Sequence, residues 1–182
     1  MHKGKWASAG FTFIELTIFL VVSSVALVGV LLLFQVSSAK SGDLIVYKQA
    51  QEAALALLEE VESMPFTFCD LSDPAATIAL SSSGCSIVQG LAPAGGKSRG
   101  SLVAPFNNAG DYGGYFQNGL TDINGVPVPG LATYSSMVSL SQVSIGGVVA
   151  ADVIKINISV TGPSGQIIVT GYKFRHSPNA TS

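Results

Sequence analysis

From Leu16 to Ala39 the chain carries no charged side chain, and leucine, valine, isoleucine and phenylalanine dominate as far as Val36. A helix of roughly 20 apolar residues crosses the hydrocarbon core of a bilayer. This run meets that length and constrains everything around it. Thr17, Ser23, Ser24 and Gly29 interrupt it only mildly, and small residues of this kind let membrane helices approach closely. The segment in front, MHKGKWASAG, holds Lys3 and Lys5 and no acid. By the positive-inside rule these lysines keep the N-terminus in the cytoplasm and send the rest of the chain outward.

Three readings compete for the segment. A secretory signal peptide has an apolar core of about 7–15 residues followed by a small-x-small cleavage site. Ser37-Ser38-Ala39 would serve as the site, but the core is too long and opens with a carboxylate, Glu15. A plain signal anchor accommodates the length and leaves Glu15 without a role. The third reading takes Gly10-Phe11-Thr12-Phe13-Ile14-Glu15-Leu16 as one unit.

That unit resembles the prepilin motif of type IV pilins and of type II secretion pseudopilins. The resemblance implies that a membrane-bound prepilin peptidase cuts after Gly10 on the cytoplasmic side and methylates the new N-terminal Phe11. It makes Glu15 the fifth mature residue. An ionised side chain near hydrocarbon costs about 2.5–3.5 kcal/mol or more unless paired, and the new α-amino group of Phe11 is a cation of comparable depth. Pairing one subunit's amine with a neighbour's Glu15 removes both penalties and fixes the axial register; this is the assembly role the resemblance implies. The partners that follow are the peptidase, other pilin subunits, the inner-membrane assembly machinery and membrane lipid.

Behind the apolar run the helical pattern continues. No proline occurs between Phe11 and Met64, and Tyr47, Ala50, Ala54, Leu57, Val61 and Met64 recur at spacings of three and four, which is one apolar helix face. Lys48, Glu52, Glu59 and Glu62 fall on the other sides, and the acidic run Glu59-Glu60-Glu62 reads as a solvated face at the unfavourable end of the helix dipole. Pro65 ends the pattern, because it disfavours helix at the residue before it. The sequence therefore predicts a leader over 1–10 and a long helix over 11–64, with 11–36 as its transmembrane half. Major type IV pilins commonly carry a proline in the second half of the apolar segment. Val25 to Phe34 has Gly29 instead, a weaker helix disruptor at roughly 1 kcal/mol against alanine. This tilts the resemblance toward a minor pilin or a pseudopilin.

Residues 65–130 are rich in glycine and proline and predict a turn-rich loop. They contain both cysteines, Cys69 and Cys85. Outside the cytoplasmic membrane such a pair forms a disulfide. A free buried pair and a redox couple are the alternatives, although there is no C-x-x-C spacing and no nearby base. Gly95-Gly96-Lys97-Ser98 ends like a phosphate loop, but the required first glycine would stand at 91, which is Leu91. Asp111 and Asp122, near Asn107, Asn108 and Asn118, offer oxygen ligands of the kind calcium takes. They follow no fixed loop pattern and read more simply as turn residues. Asn157-Ile158-Ser159 and Asn179-Ala180-Thr181 match the glycosylation sequon.

The last third predicts sheet. Ala132, Tyr134, Ser136, Val138 and Leu140 alternate as a first strand, and Ile154, Ile156, Ile158 and Val160 alternate against Lys155, Asn157 and Ser159. Gly162-Pro163-Ser164-Gly165 turns the chain and Ile167 to Phe174 returns, a hairpin. A one-faced antiparallel sheet needs a cover, and the striped helix is the available one. The predicted class is α+β: a long N-terminal helix whose outer half packs on a small antiparallel sheet over 131–175, within an extracytoplasmic region 65–182.

Two stretches refine the resemblance. Ala53 to Val61 followed by Met64-Pro65-Phe66, and Phe106-Asn107-Asn108-Ala109-Gly110-Asp111-Tyr112-Gly113-Gly114, look like parts of MshD-type minor pilins of the mannose-sensitive haemagglutinin class, with Asn107 where that group has an acid. Of the 182 residues, 48% are apolar and 11% charged, with a net charge of −2. This excludes a disordered chain and a nucleic-acid binder working through phosphate contacts. The two histidines, His2 and His176, leave little for histidine-based catalysis or a zinc site. The expectation is a non-enzymatic minor pilin without cofactor or metal. Its rivals are a pseudopilin and, from another class, an uncleaved membrane-anchored binding module.

Overall fold

The computed structural model describes residue 10 and residues 12–179. The chain divides into two compact units, Met1–Leu44 and Ile45–Ser182. The helix α1, Phe13–Ser63, contributes residues to both, so its two parts are taken separately.

In the first unit, α1 is apolar on every side. Phe13, Phe19, Leu33 and Phe34 are all more than half exposed, as a stripe-less apolar helix must be when nothing within its own unit covers it.

In the second unit, α1 is one-sided. Ala50, Ala54, Leu57 and Val61 are buried, and Val46 is half-buried one turn earlier. Tyr47, expected on this face, is half exposed. Val46 takes its place, because a spacing of four from Ala50 continues the stripe in line with Ala54. The helix stops at Ser63, where Pro65 allows no further turn. Glu59 and Glu62 are exposed, whereas Glu60 is largely buried; the expectation that all three acids face solvent is wrong for Glu60.

The stripe covers a four-stranded antiparallel sheet in the order β1-β2-β3-β4: β1 Phe116–Asn118, β2 Ser135–Gln142, β3 Val153–Gly162 and β4 Gly165–Phe174. Ile154, Ile156, Ile158 and Val160 of β3 and Val138 of β2 form its buried face, and each such side chain contributes about 1.5–3 kcal/mol on leaving water. In register, Val138 sits beside Ile158, and Ile158 beside Val169. Gly162 pairs with Gly165 across a two-residue Pro163-Ser164 loop, and Gly165 takes φ +125°, a value side chains of L residues avoid. A methyl group on Gly171 would overlap Leu58 and the Glu62 carboxylate of α1. Its bare backbone is what lets β4 come that close to the helix.

Several boundaries differ from the sequence expectation: Met64 falls just past the helix end and β4 begins at Gly165, not Ile167. The first predicted strand begins at Ser135, not Ala132, which is exposed. The region 65–130 is not free of sheet, because β1 lies inside it and pairs Phe116 with Met137. Three residues are too short to show a period.

Candidate functional site

The amino-terminal segment comes first. Gly10 is exposed. Phe11, the expected first mature residue, and the leader before Gly10 lie outside the described residues. Glu15 stands in the first turn of α1, where a negative charge is favoured by the helix dipole. The backbone N–H groups of Glu15 and Leu16 donate to the Thr12 carbonyl at 3.1 and 3.2 Å. Further along, the Thr17 hydroxyl donates to the Ile14 carbonyl at 2.8 Å and the Ser24 hydroxyl to the Leu20 carbonyl at 2.6 Å. Both hydroxyls thus have a partner inside the helix, which is the condition for placing them in hydrocarbon. Phe13–Val36 is long and apolar enough to cross a membrane.

The second unit carries two polar clusters that sequence reasoning missed. In one, the Glu60 carboxylate accepts from Arg99 Nε and Nη2, each at 2.7 Å, and from the Tyr112 hydroxyl at 2.6 Å. Arg99 Nη1 also donates to the carbonyls of Thr121 and Asp122, both at 3.1 Å. Burial works against the charge on Arg99, but Glu60 outweighs it and holds the guanidinium protonated above its ordinary value. Burial and the same carboxylate push the Tyr112 hydroxyl up.

The second cluster surrounds Lys97. Its ammonium donates to Asp70 Oδ2, to Asn107 Oδ1 at 2.8 Å and to Asp111 Oδ2 at 3.3 Å. Asp111 sits in the short 3₁₀ turn Ala109–Tyr112 and also accepts from the backbone N–H groups of Asn107 and Asn108, at 3.0 and 3.1 Å. Asn108 answers by accepting from Gly110 N–H at 3.0 Å, closing a capping box. Burial pushes the Asp70 carboxyl up. The hydrogen bonds from Lys97 and Ser72 outweigh that and leave it below the ordinary value.

Cys69 and Cys85 form a disulfide with their Cα atoms 5.3 Å apart. Closing a loop of this size contributes on the order of 3 kcal/mol by the chain-entropy estimate. Asp73, inside that loop, accepts from the N–H groups of Ala75 at 2.9 Å and Ile87 at 2.6 Å. Those two bonds hold its carboxyl below the ordinary value.

Other sequence-predicted positions separate. Asp122 does not join Asp111; it accepts from Asn124 and Val126 N–H at 2.9 and 2.8 Å. Among the described residues no group of three or more His, Cys, Asp or Glu side chains is placed to hold a metal. Asn157 lies on β3 and accepts from the Thr170 hydroxyl at 2.8 Å. Of the second sequon, Ala180 and Thr181 fall outside the described residues. Beside the outer part of α1 runs a groove of about 760 Å³, with Ile45, Ala53 and Ala56 on one wall and Leu120, Val128 and Leu131 on the other. Its buried charges, Glu60 and Arg99, are already paired with each other.

Comparison of the chain with family models, with curated proteins and with solved structures finds no match in any of the three. The site therefore has to be read from its own chemistry. The signal that could have exposed the two outer clusters is local: between Asp73 and Asp111 the only charged residues are Lys97 and Arg99. Isolated cations in a turn-rich stretch need counter-charges from elsewhere.

Proposed function

We propose that the chain is a minor pilin, a non-enzymatic subunit that a prepilin peptidase processes and that enters a type IV pilus through its apolar helix. The observation that carries this reading is the Gly10-Phe11…Glu15 sequence at the start of a helix whose apolar stretch Phe13–Val36 leaves its side chains exposed. In the reading, Phe13–Val36 crosses the inner membrane with the N-terminus inside and the sheet-bearing unit outside. The same helix later moves into the fibre core, where lipid tails are replaced by the helices of other subunits. The first-turn carboxylate of Glu15 then meets the α-amino group of a neighbouring subunit, a cation that exists only after cleavage. An uncompensated charge there costs about 2.5–3.5 kcal/mol or more, enough to disfavour any other register.

Intact-mass measurement of protein recovered from membranes and from sheared fibres tests the processing step. A mature form beginning at N-methylated Phe11 is expected; an N-terminus at Met1 or Lys40 sinks it. Glu15→Gln tests the charge. Thr12-Phe13-Ile14-Glu15 has capping-box spacing at the start of α1, a role glutamine also fills, so this substitution leaves the helix start intact and removes only the charge. Cleavage should proceed and fibre entry should fall. Equal incorporation of variant and wild type would show that Glu15 only marks the membrane boundary.

A further inference from the structure

β4 is the long edge of the sheet. It runs for ten residues in unbroken register with β3, and its other side pairs with no strand among the described residues. In an antiparallel pair the hydrogen-bonded positions alternate. The two-residue loop makes Gly162 and Gly165 a bonded pair, so Ile167, Val169 and Gly171 bond to β3 and the even positions of β4 point away from it. The N–H and C=O groups of Gln166, Ile168, Thr170 and Tyr172 meet no backbone partner among the described residues, and all four residues are exposed. Sheets ordinarily protect such an edge by shortness, proline, a bulge or charge. The opposite edge, β1, is protected by being three residues long. β4 has no proline and no bulge, and its one charge, Lys173, is turned to the Glu62 carbonyl of α1.

We propose that β4 is a self-association edge, pairing antiparallel with β4 of a second copy about a two-fold axis at Thr170. The strand is its own complement in that register. Ile168 faces the second copy's Tyr172, Thr170 faces its counterpart, and Lys173 faces Ile167 rather than another lysine. Aromatic with β-branched and threonine with threonine are favourable cross-strand pairs. The Thr170 hydroxyl already donates to Asn157 Oδ1 at 2.8 Å, so one polar row runs Asn157-Thr170-Thr170-Asn157 across the joined sheets. The axis stands normal to the sheet. The second unit's part of α1 and its counterpart therefore lie on one face of an eight-stranded sheet, four strands from each copy, and run in opposite directions. Leu58 and Glu62 lie over Gly171, and Leu55, one turn earlier on the same side of α1, is 41% exposed. It brings an apolar side chain to the seam. Opposed helices also set Lys48 of one copy toward Glu59 and Glu62 of the other, and none of these three takes part in an ion pair among the described residues. The charges at the seam are thus complementary to a second copy. None of this depends on the fibre reading, because every residue involved belongs to the second unit.

The test uses the full chain in nonionic detergent at two detergent-to-protein ratios, with the protein mass read by light scattering. Wild type is expected to pass from monomer to dimer as its concentration rises, at both ratios. Thr170→Lys sets like charges directly opposite one another at the axis and should stay monomeric while keeping the circular dichroism of the folded chain. The register is read by oxidation. Thr170→Cys should cross-link to itself, Ile168→Cys should not, and Ile168→Cys mixed with Tyr172→Cys should. The proposal is overturned if wild type stays monomeric throughout, or if folded Thr170→Lys dimerises as wild type does. It is equally overturned if Thr170→Cys fails to cross-link, or if Ile168→Cys links to itself as readily; should Thr170→Lys not fold, this cysteine pattern decides alone.

Discussion

Replacing Glu60 with alanine removes an acceptor that serves three donors at once. Arg99 loses two bonds of 2.7 Å and Tyr112 one of 2.6 Å. Taking one partner from a buried ion pair costs about 3–5 kcal/mol. The side chains here are 9% and 13% exposed, and Arg99 keeps the Thr121 and Asp122 carbonyls, so the lower end of that range applies. The orphaned Tyr112 hydroxyl adds about 1–3 kcal/mol unless water reaches it. A loss of about 4–6 kcal/mol is therefore expected, a large share of the roughly 5–15 kcal/mol typical of a domain. The measurement is urea unfolding of the full chain in detergent micelles, followed by the near-ultraviolet signal of the tyrosines. A double-mutant cycle with Arg99→Met separates the pair from the rest. The double variant buries no unpaired charge and should lose well under the sum of the single losses, with a coupling of about 1–3 kcal/mol. Additive losses, or a Glu60→Ala loss below about 0.5 kcal/mol, would show that water already solvates the cluster and that the geometric argument fails.

Two further outcomes follow from the same structure. Gly171→Ala pushes a methyl group into Leu58 and the Glu62 carboxylate and should cost about 1–3 kcal/mol, read as a lower thermal midpoint; an unchanged midpoint would mean that α1 gives way freely. Acid should weaken the second unit through Asp70 and Asp73. Both folded-state values lie below the ordinary 3.8, so their contribution is complete above that pH and is lost as pH falls through the folded values. Thermal midpoints measured from pH 6 down to pH 2 should drop below about pH 4, and Asp70→Asn/Asp73→Asn should flatten that drop; an unaltered profile would place acid sensitivity elsewhere.

Much of the fold was written in local pattern. Ile154 to Val160 alternate because β3 has one face on the helix and one away from it, and the Gly162–Gly165 pairing was legible from four turn residues. The helix stripe was legible to within one position, since Val46 and Tyr47 are both apolar and only three-dimensional packing chooses between them. What escaped is non-local. Arg99 finds Glu60 at a separation of 39 residues, and Lys97 finds Asp70 at 27; no period or spacing rule joins positions that far apart. Glu60 was misread for the same reason, because an acid within an acidic run carries no mark of the partner that will bury it. At the amino terminus the situation reverses: Gly10, Phe11 and Glu15 are informative as a sequence motif, and local geometry adds only the first-turn position of Glu15.

The placement of the charges explains how a turn-rich segment lacking a large core of its own adopts one shape. Around the disulfide only Cys69, Ala76 and Ala79 form a buried apolar cluster, while Ile78, Leu80, Leu102 and Val103 are exposed. The rest of the segment reaches the main core through Phe66, Phe106, Ala109, Tyr112 and Leu120, but around the disulfide the contact surface is small, and apolar burial is indifferent to orientation. The buried polar bonds have the direction that burial lacks. Arg99 ties the segment to α1, Lys97 ties the disulfide loop to the capped turn, and Arg175 lies over Phe66 at 4.1 Å and Phe68 at 4.4 Å, fixing the end of β4 to the chain leaving the helix. Each of these cations is desolvated, so a misarranged packing that kept it buried without its partner would cost several kcal/mol. The segment is specified less by what it gains in the native arrangement than by what it would lose in any other.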